Sequence, residues 1–349
     1  MNDVYLYHLS DDRRINLRIK YLDLLKTIAI IGVVVIHSAA PLVDYSSTGS
    51  YDWWIGNIYD SAFRTGVPLF FMVSGALLLN RNSISLKDFY LKKTLPLVIA
   101  FVFWSAVYFI QRNLPYPESF TLSNFIKSMI SGSVFGRLWF LYTIIGLYLV
   151  TPFIKTFVKN ASEKELKAYL VLWFSSTVGI DFLKHFYNLE VALDLSLVYG
   201  YVGYFIMGYY FSNRNFKINI KKSLLVLAVL NVITTVGTYG LSVENSENNL
   251  YFYGNLSPNI ILITVLLFLV IKTSVTGKSS NLLKEISTNS LGIYVIHTFV
   301  MNYLRSVKID EHLFNPVVGV PILVILTFSI SLLISVLIRK IPILKKVLP

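Results

Sequence analysis

Cysteine is absent from the 349-residue chain. Disulfides, thiolate metal ligands and a cysteine-borne acyl intermediate are therefore excluded, and any covalent chemistry must use another side chain. Histidine is scarce, with five residues in all. No two histidines or carboxylates stand at metal-ligand spacing on one helix, so no metal site is expected. There is no glycine-rich loop of the kind that cradles phosphates and no G-x-S-x-G elbow. Charge is sparse at 14% of residues, and no loop between apolar runs is long enough to fold as a soluble domain.

What is abundant is apolar sequence. Hydrophobic residues make up 55% of the chain and mean hydropathy is +0.62, a composition that excludes a water-soluble domain of this length. Runs of about 20 apolar residues are what a bilayer crossing needs. They predict an all-α polytopic membrane protein with ten spans, near 22–43, 54–80, 94–111, 138–158, 167–184, 192–212, 223–242, 257–275, 288–306 and 316–338. The run at 54–80 is long enough to tilt or to kink at Pro68, and the run at 167–184 is short and holds Asp181. Residues 1–349 read as one membrane domain, with 1–20 and 339–349 as cytoplasmic ends. The first twenty residues are polar and no small-residue cleavage site follows the first apolar run, so no cleaved leader is expected.

The net charge of +12 invites a nucleic-acid partner until the basic residues are located. With both termini inside, 23 of the 31 Lys and Arg fall in cytoplasmic segments. Six fall outside, Arg112, Lys127, Arg137, Lys184, Arg305 and Lys308, while Lys26 and Arg64 lie within spans. That is the positive-inside bias of a membrane protein, so the bilayer is the expected partner and nucleic acid is not. One internal echo is visible: "VPLFFMVSGALLLNRN" from Val67 and "YVGYFIMGYYFSNRN" from Tyr201 both end at a predicted cytoplasmic boundary. A repeat and a chance match of apolar sequence are both open readings.

Ionisable groups within spans are costly and usually face a bundle interior or a wet cavity. The first span carries Asp23, Lys26 and His37. At about 100° and 1.5 Å per residue they share a stripe about 60° wide, with His37 about 16 Å from Lys26 along the axis. Such a stripe suits a helix lining a polar passage. The alternative is an interfacial Asp23–Lys26 pair with His37 at the outer end. In the second span Asp60 and Arg64 are spaced i,i+4, and Arg64 falls within a turn or so of the depth of His37. They read either as part of the same site or as a buried pair that holds the bundle together. Ser74 and Gly75 suit a polar contact or tight helix packing. Trp139 stands where an aromatic belt is expected, and His297 sits mid-span as either a functional or a hydrogen-bonded structural histidine.

Four segments, "LDLLKTIAIIGVVVIHS", "RTGVPLFFMVSGALLL", "LWFLYTIIGLYLVTPF" and "SLGIYVIHT", occur in order between residues 20 and 306. Together they resemble the acyltransferase-3 family of integral membrane acyltransferases, above all its branch with the enterobacterial common antigen O-acetyltransferase and the intercellular-adhesin proteins. The resemblance implies an enzyme of the bacterial inner membrane that moves an acyl group, usually from cytoplasmic acetyl-CoA, to a hydroxyl of a surface glycan or glycolipid. The histidine ending the family's first span matches His37 and is implied as the catalytic base, with Arg64 assisting. Asp23, Lys26, Ser74, Trp139 and His297, singled out by their placement, are the expected substrate-binding positions. The sequence departs from the family in having Lys26 where Arg is usual and only Arg64 for an arginine pair spaced three apart. It shows no fused hydrolase-like domain, so acceptor selection is expected within the membrane domain or in a partner. The rival reading is a transporter or flippase for a polysaccharide or lipid-linked sugar, with the same charges lining its pathway.

The charge split makes the topology testable in a cysteine-free chain. Single cysteines at Ser85 and Ser119 should react with an impermeant thiol reagent from opposite sides of the membrane, and labelling from the same side would refute the topology.

Overall fold

The computed structural model describes residues 19–81, 85–116, 118, 120–245 and 247–348. The amino-terminal tail with His8, Arg13, Arg14 and Arg18 lies outside the described residues, as does Ser119. The described chain is helical, and the one β-contact given is an isolated antiparallel bridge between Ile19 and Lys278. Its helices are α1 Lys20–Tyr45, α2 Tyr51–Phe63, α3 Gly66–Leu78, α4 Leu86–Phe89, α5 Leu95–Asn113, α6 Leu122–Ile130, α7 Trp139–Asn160, α8 Glu163–Tyr187, α9 Val202–Ser212, α10 Ile220–Glu244, α11 Pro258–Ser274, α12 Asn281–Ser306 and α13 Pro316–Lys340. A π-helical turn, Tyr90–Thr94, joins α4 to α5.

Among the described residues, eight segments are long and apolar enough to cross a membrane: Lys20–Tyr45, Tyr51–Leu78, Leu86–Asn113, Gly136–Asn160, Glu163–Tyr187, Ile220–Glu244, Tyr251–Ser274 and Pro316–Lys340. The protein is thus a multi-pass, all-α membrane protein. The other two of the ten expected spans fall on helices outside this set. The run at 192–212 holds an 11-residue helix, α9, after a short 3-10 turn at Ser196–Val198. The run at 288–306 lies in α12, which is 26 residues long but is not among the eight. Asn289, Ser290, His297, Thr298 and Asn302 interrupt its apolar sequence. The second span is interrupted at Arg64 and Thr65, between α2 and α3. Pro68 lies one turn further on. Having no N–H, it cannot bond the Arg64 carbonyl four residues back.

The chain divides into two compact units. One comprises the chain up to Arg81 with Leu170–Ser290, and the other comprises Asn82–Tyr169 with Leu291–Pro349. In the first unit α1 runs antiparallel to the second span. A Cβ on Gly32 would lie 3.1 Å from the Phe63 carbonyl, and one on Gly66 would lie 2.9 Å from the Ala29 carbonyl. Further out, a Cβ on Gly56 would meet Leu42 Cβ at 2.6 Å. Glycine is required at these crossings because the backbones themselves are in contact. Ser50 caps α2, its hydroxyl accepting from Trp53 N at 3.3 Å, which turns the chain back after α1.

Helices α3 and α9 pack still more closely, and in parallel. A Cβ on Gly75 would clash with the carbonyl of Phe205, and one on Gly208 would clash with that of Met72. At the end of the pair, Asn213 Nδ2 donates to Asn80 Oδ1 at 2.6 Å. Residues 75 and 208, 72 and 205, and 80 and 213 are each 133 positions apart. Each of these contacts is therefore made between equivalents of the echo read in the sequence, and the two glycine contacts run once in each direction, as a local two-fold axis requires. The glycine Cα–H groups point at the opposing carbonyls, a contact that favours close helix pairs.

The second unit is held by aromatic stacking and carbonyl contacts. Tyr108 Oη donates to Val295 O at 2.8 Å, and Trp104 Nε1 donates to Val347 O at 3.1 Å. Asn315 caps α13, accepting from Val317 N at 2.8 Å, with Pro316 in its first turn.

Gly75→Ala and Gly208→Ala should each destabilise the folded protein by about 1–3 kcal/mol or more, because the added methyl has only backbone to displace. Gly146→Ala, where a Cβ meets nothing within 4 Å, should be neutral or slightly stabilising. Thermal unfolding of the three variants in detergent checks this.

Candidate functional site

The polar residues of α1 do not share one environment. Asp23 is 7% exposed, and its two carboxylate oxygens accept from Ser279 Oγ and Ser287 Oγ, each at 2.6 Å. Two hydroxyls thus satisfy a carboxylate that would be expensive to bury alone. They also tie the start of α1 to the loop before α12 and to the first turns of α12. Lys26, one turn on, is half-buried, and so is His37.

The neighbouring charge pair is built on α2. Arg64 Nη2 bonds Asp60 Oδ2 at 2.5 Å, with Asp60 1% exposed and Arg64 19% exposed. The Arg64 guanidinium lies over the Tyr253 ring, 4.0 Å from its centroid, a cation–π contact that strengthens as water is excluded. Tyr253 Oη in turn donates to Asn57 Oδ1 at 2.5 Å. Ser61 Oγ donates to the same oxygen at 3.1 Å, and Asn57 Nδ2 donates to Thr235 O at 3.0 Å. Asn57, Asp60, Ser61 and Arg64 are spaced at three and four residues, so one face of α2 carries them all. Asp60 Oδ1 and Arg64 Nε are buried and make no hydrogen bond within the structure.

The glycine contacts set the depth of this cluster relative to α1. Gly32 meets Phe63 and Gly66 at one level, and Leu42 meets Gly56 at another. His37 is midway between Gly32 and Leu42 on α1, and Asp60 is near the midpoint of the facing stretch from Gly56 to Gly66. With the helices antiparallel, His37 and the Asp60–Arg64 pair therefore occupy the same depth to within about one turn, about 5 Å. The histidine can exchange protons, and the arginine is a fixed cation with an accessible edge. Such a pair suits a reaction that removes a proton and develops an oxyanion.

A family model described as an acyltransferase domain, that of the acyltransferase-3 family, matches residues 19–336. The chain belongs to the acyltransferase-3 family. No curated protein and no solved structure matches it at a significant level. The acyltransferase match spans both units, from the start of α1 almost to the end of α13.

The other sequence-derived positions are dispersed. Ser74 is half-buried on α3, beside the Gly75 contact. Trp139 stands on the surface at the first residue of α7. His297 is 1% exposed; its Nδ1 is 2.5 Å from Tyr294 O, and its Nε2 is 3.4 Å from Thr298 Oγ1. Trp139 and His297 belong to the second unit, whereas His37, Arg64, Asp23, Lys26 and Ser74 belong to the first. Among the described residues, no group of three or more His, Asp or Glu could hold a metal ion. Sequence reasoning passed over Asn57 and Tyr253. Asn57 carries a signal, since it precedes Asp60 by three residues on the same face. Tyr253 carries none, being one ring of the run "YFY".

Asp60→Asn and Arg64→Gln should each cost about 3–5 kcal/mol of stability, because each leaves its partner charged and uncompensated in a largely buried site. The double variant should lose much less than the sum. Reversible denaturant unfolding of the four proteins in micelles checks the cycle.

Proposed function

We propose that the protein is an O-acyltransferase of the bacterial inner membrane that moves an acetyl group from cytoplasmic acetyl-CoA to a hydroxyl of a surface glycan or glycolipid. This places it beside the enterobacterial common antigen and adhesin branch of the family. The observation that carries the reading is the accessible Arg64 guanidinium, held by Asp60 at the depth of His37 in a chain whose acyltransferase match covers residues 19–336.

The chemistry follows from the two side chains. His37, as a neutral imidazole, takes the proton from the acceptor hydroxyl as its oxygen attacks the thioester carbonyl. The carbonyl oxygen becomes an oxyanion, and the Arg64 guanidinium stabilises it. Because Asp60 already fixes the arginine, little reorganisation is needed when the charge appears. Collapse of the tetrahedral intermediate breaks the carbon–sulfur bond, and the departing thiolate takes the proton from the imidazolium. The products are an acetyl ester and free CoA, with no net proton change in the site. Lys26, toward the cytoplasmic end of α1 on the charge-derived topology, attracts the donor's phosphates. Asp23, clamped by Ser279 and Ser287, holds the start of the helix that carries Lys26 and His37. Ser74 is assigned to the donor route, and Trp139 and His297 take no part in this step.

His37→Gln should keep expression and thermal stability while losing about 10²- to 10⁴-fold in transfer rate. Wild-type activity should rise with pH through the range in which an imidazole loses its proton. Acetylation of surface glycans, read by mass spectrometry in cells carrying each variant, is the measurement. Full acetylation by a well-folded His37→Gln protein would overturn the assignment. Glycan export without any acetylation in the wild type would favour the transporter reading.

A further inference from the structure

The second unit carries a built cleft remote in sequence from the His37–Arg64 cluster. It has a volume of about 430 Å³ and is lined by Tyr108, Gln111, Arg112, Phe135, Gly136 and Asn302, among others. An adjoining hollow of about 260 Å³ shares Arg112 and Val134 with it and adds Asn113, Asn124, Lys127 and Ser128. Its wall is rigid. Tyr108 stacks on Phe135 at 4.3 Å and 6°, and on Phe299 at 4.3 Å and 26°, while its hydroxyl is fixed to Val295 O. Arg112 donates to the Ser133 carbonyl, which closes the rim between α5 and the turn before α7. A pocket with an aromatic wall, convergent side-chain amides and two cations suits an oligosaccharide that bears an acidic group.

Helix α6 indicates where that saccharide comes from. At about 100° per residue, its polar residues Ser123, Asn124, Lys127 and Ser128 take one half of the surface, and its apolar residues take the other. Asn124, Lys127 and Ser128 line the hollow. On the opposite face Leu122 is 74% exposed, Ile126 41% and Ile130 78%. A short helix with a polar face on a cleft and an uncovered apolar face, between two bilayer-spanning segments, has the form of an interfacial helix lying in a membrane leaflet. Lipid covering Leu122, Ile126 and Ile130 would reach the lip of the cleft.

We propose that this cleft binds the acceptor of the reaction as a membrane-anchored, negatively charged glycolipid. Arg112 and Lys127 hold the acidic group, Gln111, Asn113, Asn124 and Asn302 hydrogen-bond the sugar, and α6 seats the cleft at the outer leaflet. The proposal rests on the acyltransferase reading for the word acceptor, but binding at the cleft can be measured without any transfer.

The test uses the full chain in phosphatidylcholine nanodiscs, titrated with a monosialoganglioside, its asialo form and its free oligosaccharide. The sialylated lipid should bind at least about tenfold more tightly than the asialo lipid or the free oligosaccharide. Lys127→Gln, an exposed change that disturbs no packing, and Arg112→Gln should each raise its Kd about tenfold or more. A nitroxide at Ile130→Cys should report lipid, and one at Ser123→Cys should report water. Equal binding of the charged and uncharged lipids, undiminished binding by Lys127→Gln, or displacement by phosphatidylglycerol, which has no sugar, would overturn the proposal. Intact binding by a wild-type protein that transfers no acetyl group would overturn the acyltransferase reading alone and leave the cleft a glycolipid site.

Discussion

A carboxylate and a guanidinium inside a bilayer-spanning helix are tolerable only if each neutralises the other. The Asp60–Arg64 pair on α2 is where this constraint acts most strongly. Asp60 is fully enclosed, so its charge has to be met within the protein, and Arg64 is the only bonded partner it has among the described residues. Water cannot substitute. The surroundings follow from that pairing. The Tyr253 ring covers the guanidinium, its hydroxyl engages Asn57, and Asn57 reaches across to a carbonyl of α10. The helix break at Arg64 and Thr65 falls where the pair ends, and Pro68 keeps the two halves from fusing into one straight rod.

Close backbone contact does the rest of the positioning. Without the glycines at 32, 56 and 66, side chains would separate α1 from the second span, and the depth shared by His37 and Arg64 would be lost. The same principle recurs between α3 and α9, where Gly75 and Gly208 each admit the other helix's carbonyl. In lipid, helices gain little from burying apolar surface against one another, so small residues and short contacts carry the association. The two-fold pairing of α3 with α9 gives the first unit a rigid seam directly beyond the charged cluster.

The histidines differ in their placement. His297 is enclosed, with both ring nitrogens near polar atoms of its own helix. His37 is half-buried at the level of a fixed cation. Asp23 resembles His297 in this respect, since both its oxygens are taken by serine hydroxyls that anchor α1. A polar stripe on one helix can thus mix enclosed, hydrogen-bonded groups at one end with a half-buried group at the other.

What the sequence determined by itself is whatever depends on short separations and composition. Apolar runs of bilayer length make the helical membrane class unavoidable. The family's motifs are short and contiguous in sequence, and the i,i+4 spacing of Asp60 and Arg64 puts them within reach of each other on one helix turn. Even the seam between α3 and α9 left a trace, as the echo between Val67 and Tyr201. Other features had no local signature. Asp23 meets its serines 256 and 264 positions away, and Tyr253 meets Asn57 across 196. The run at 192–212 folds as the short α9 after a 3-10 turn because hydropathy records how apolar a segment is and not which backbone it adopts. Apolar helix faces look alike in sequence, so the choice of which faces meet is made only in the packed structure. There, glycine gaps and paired polar groups admit one arrangement and exclude the others.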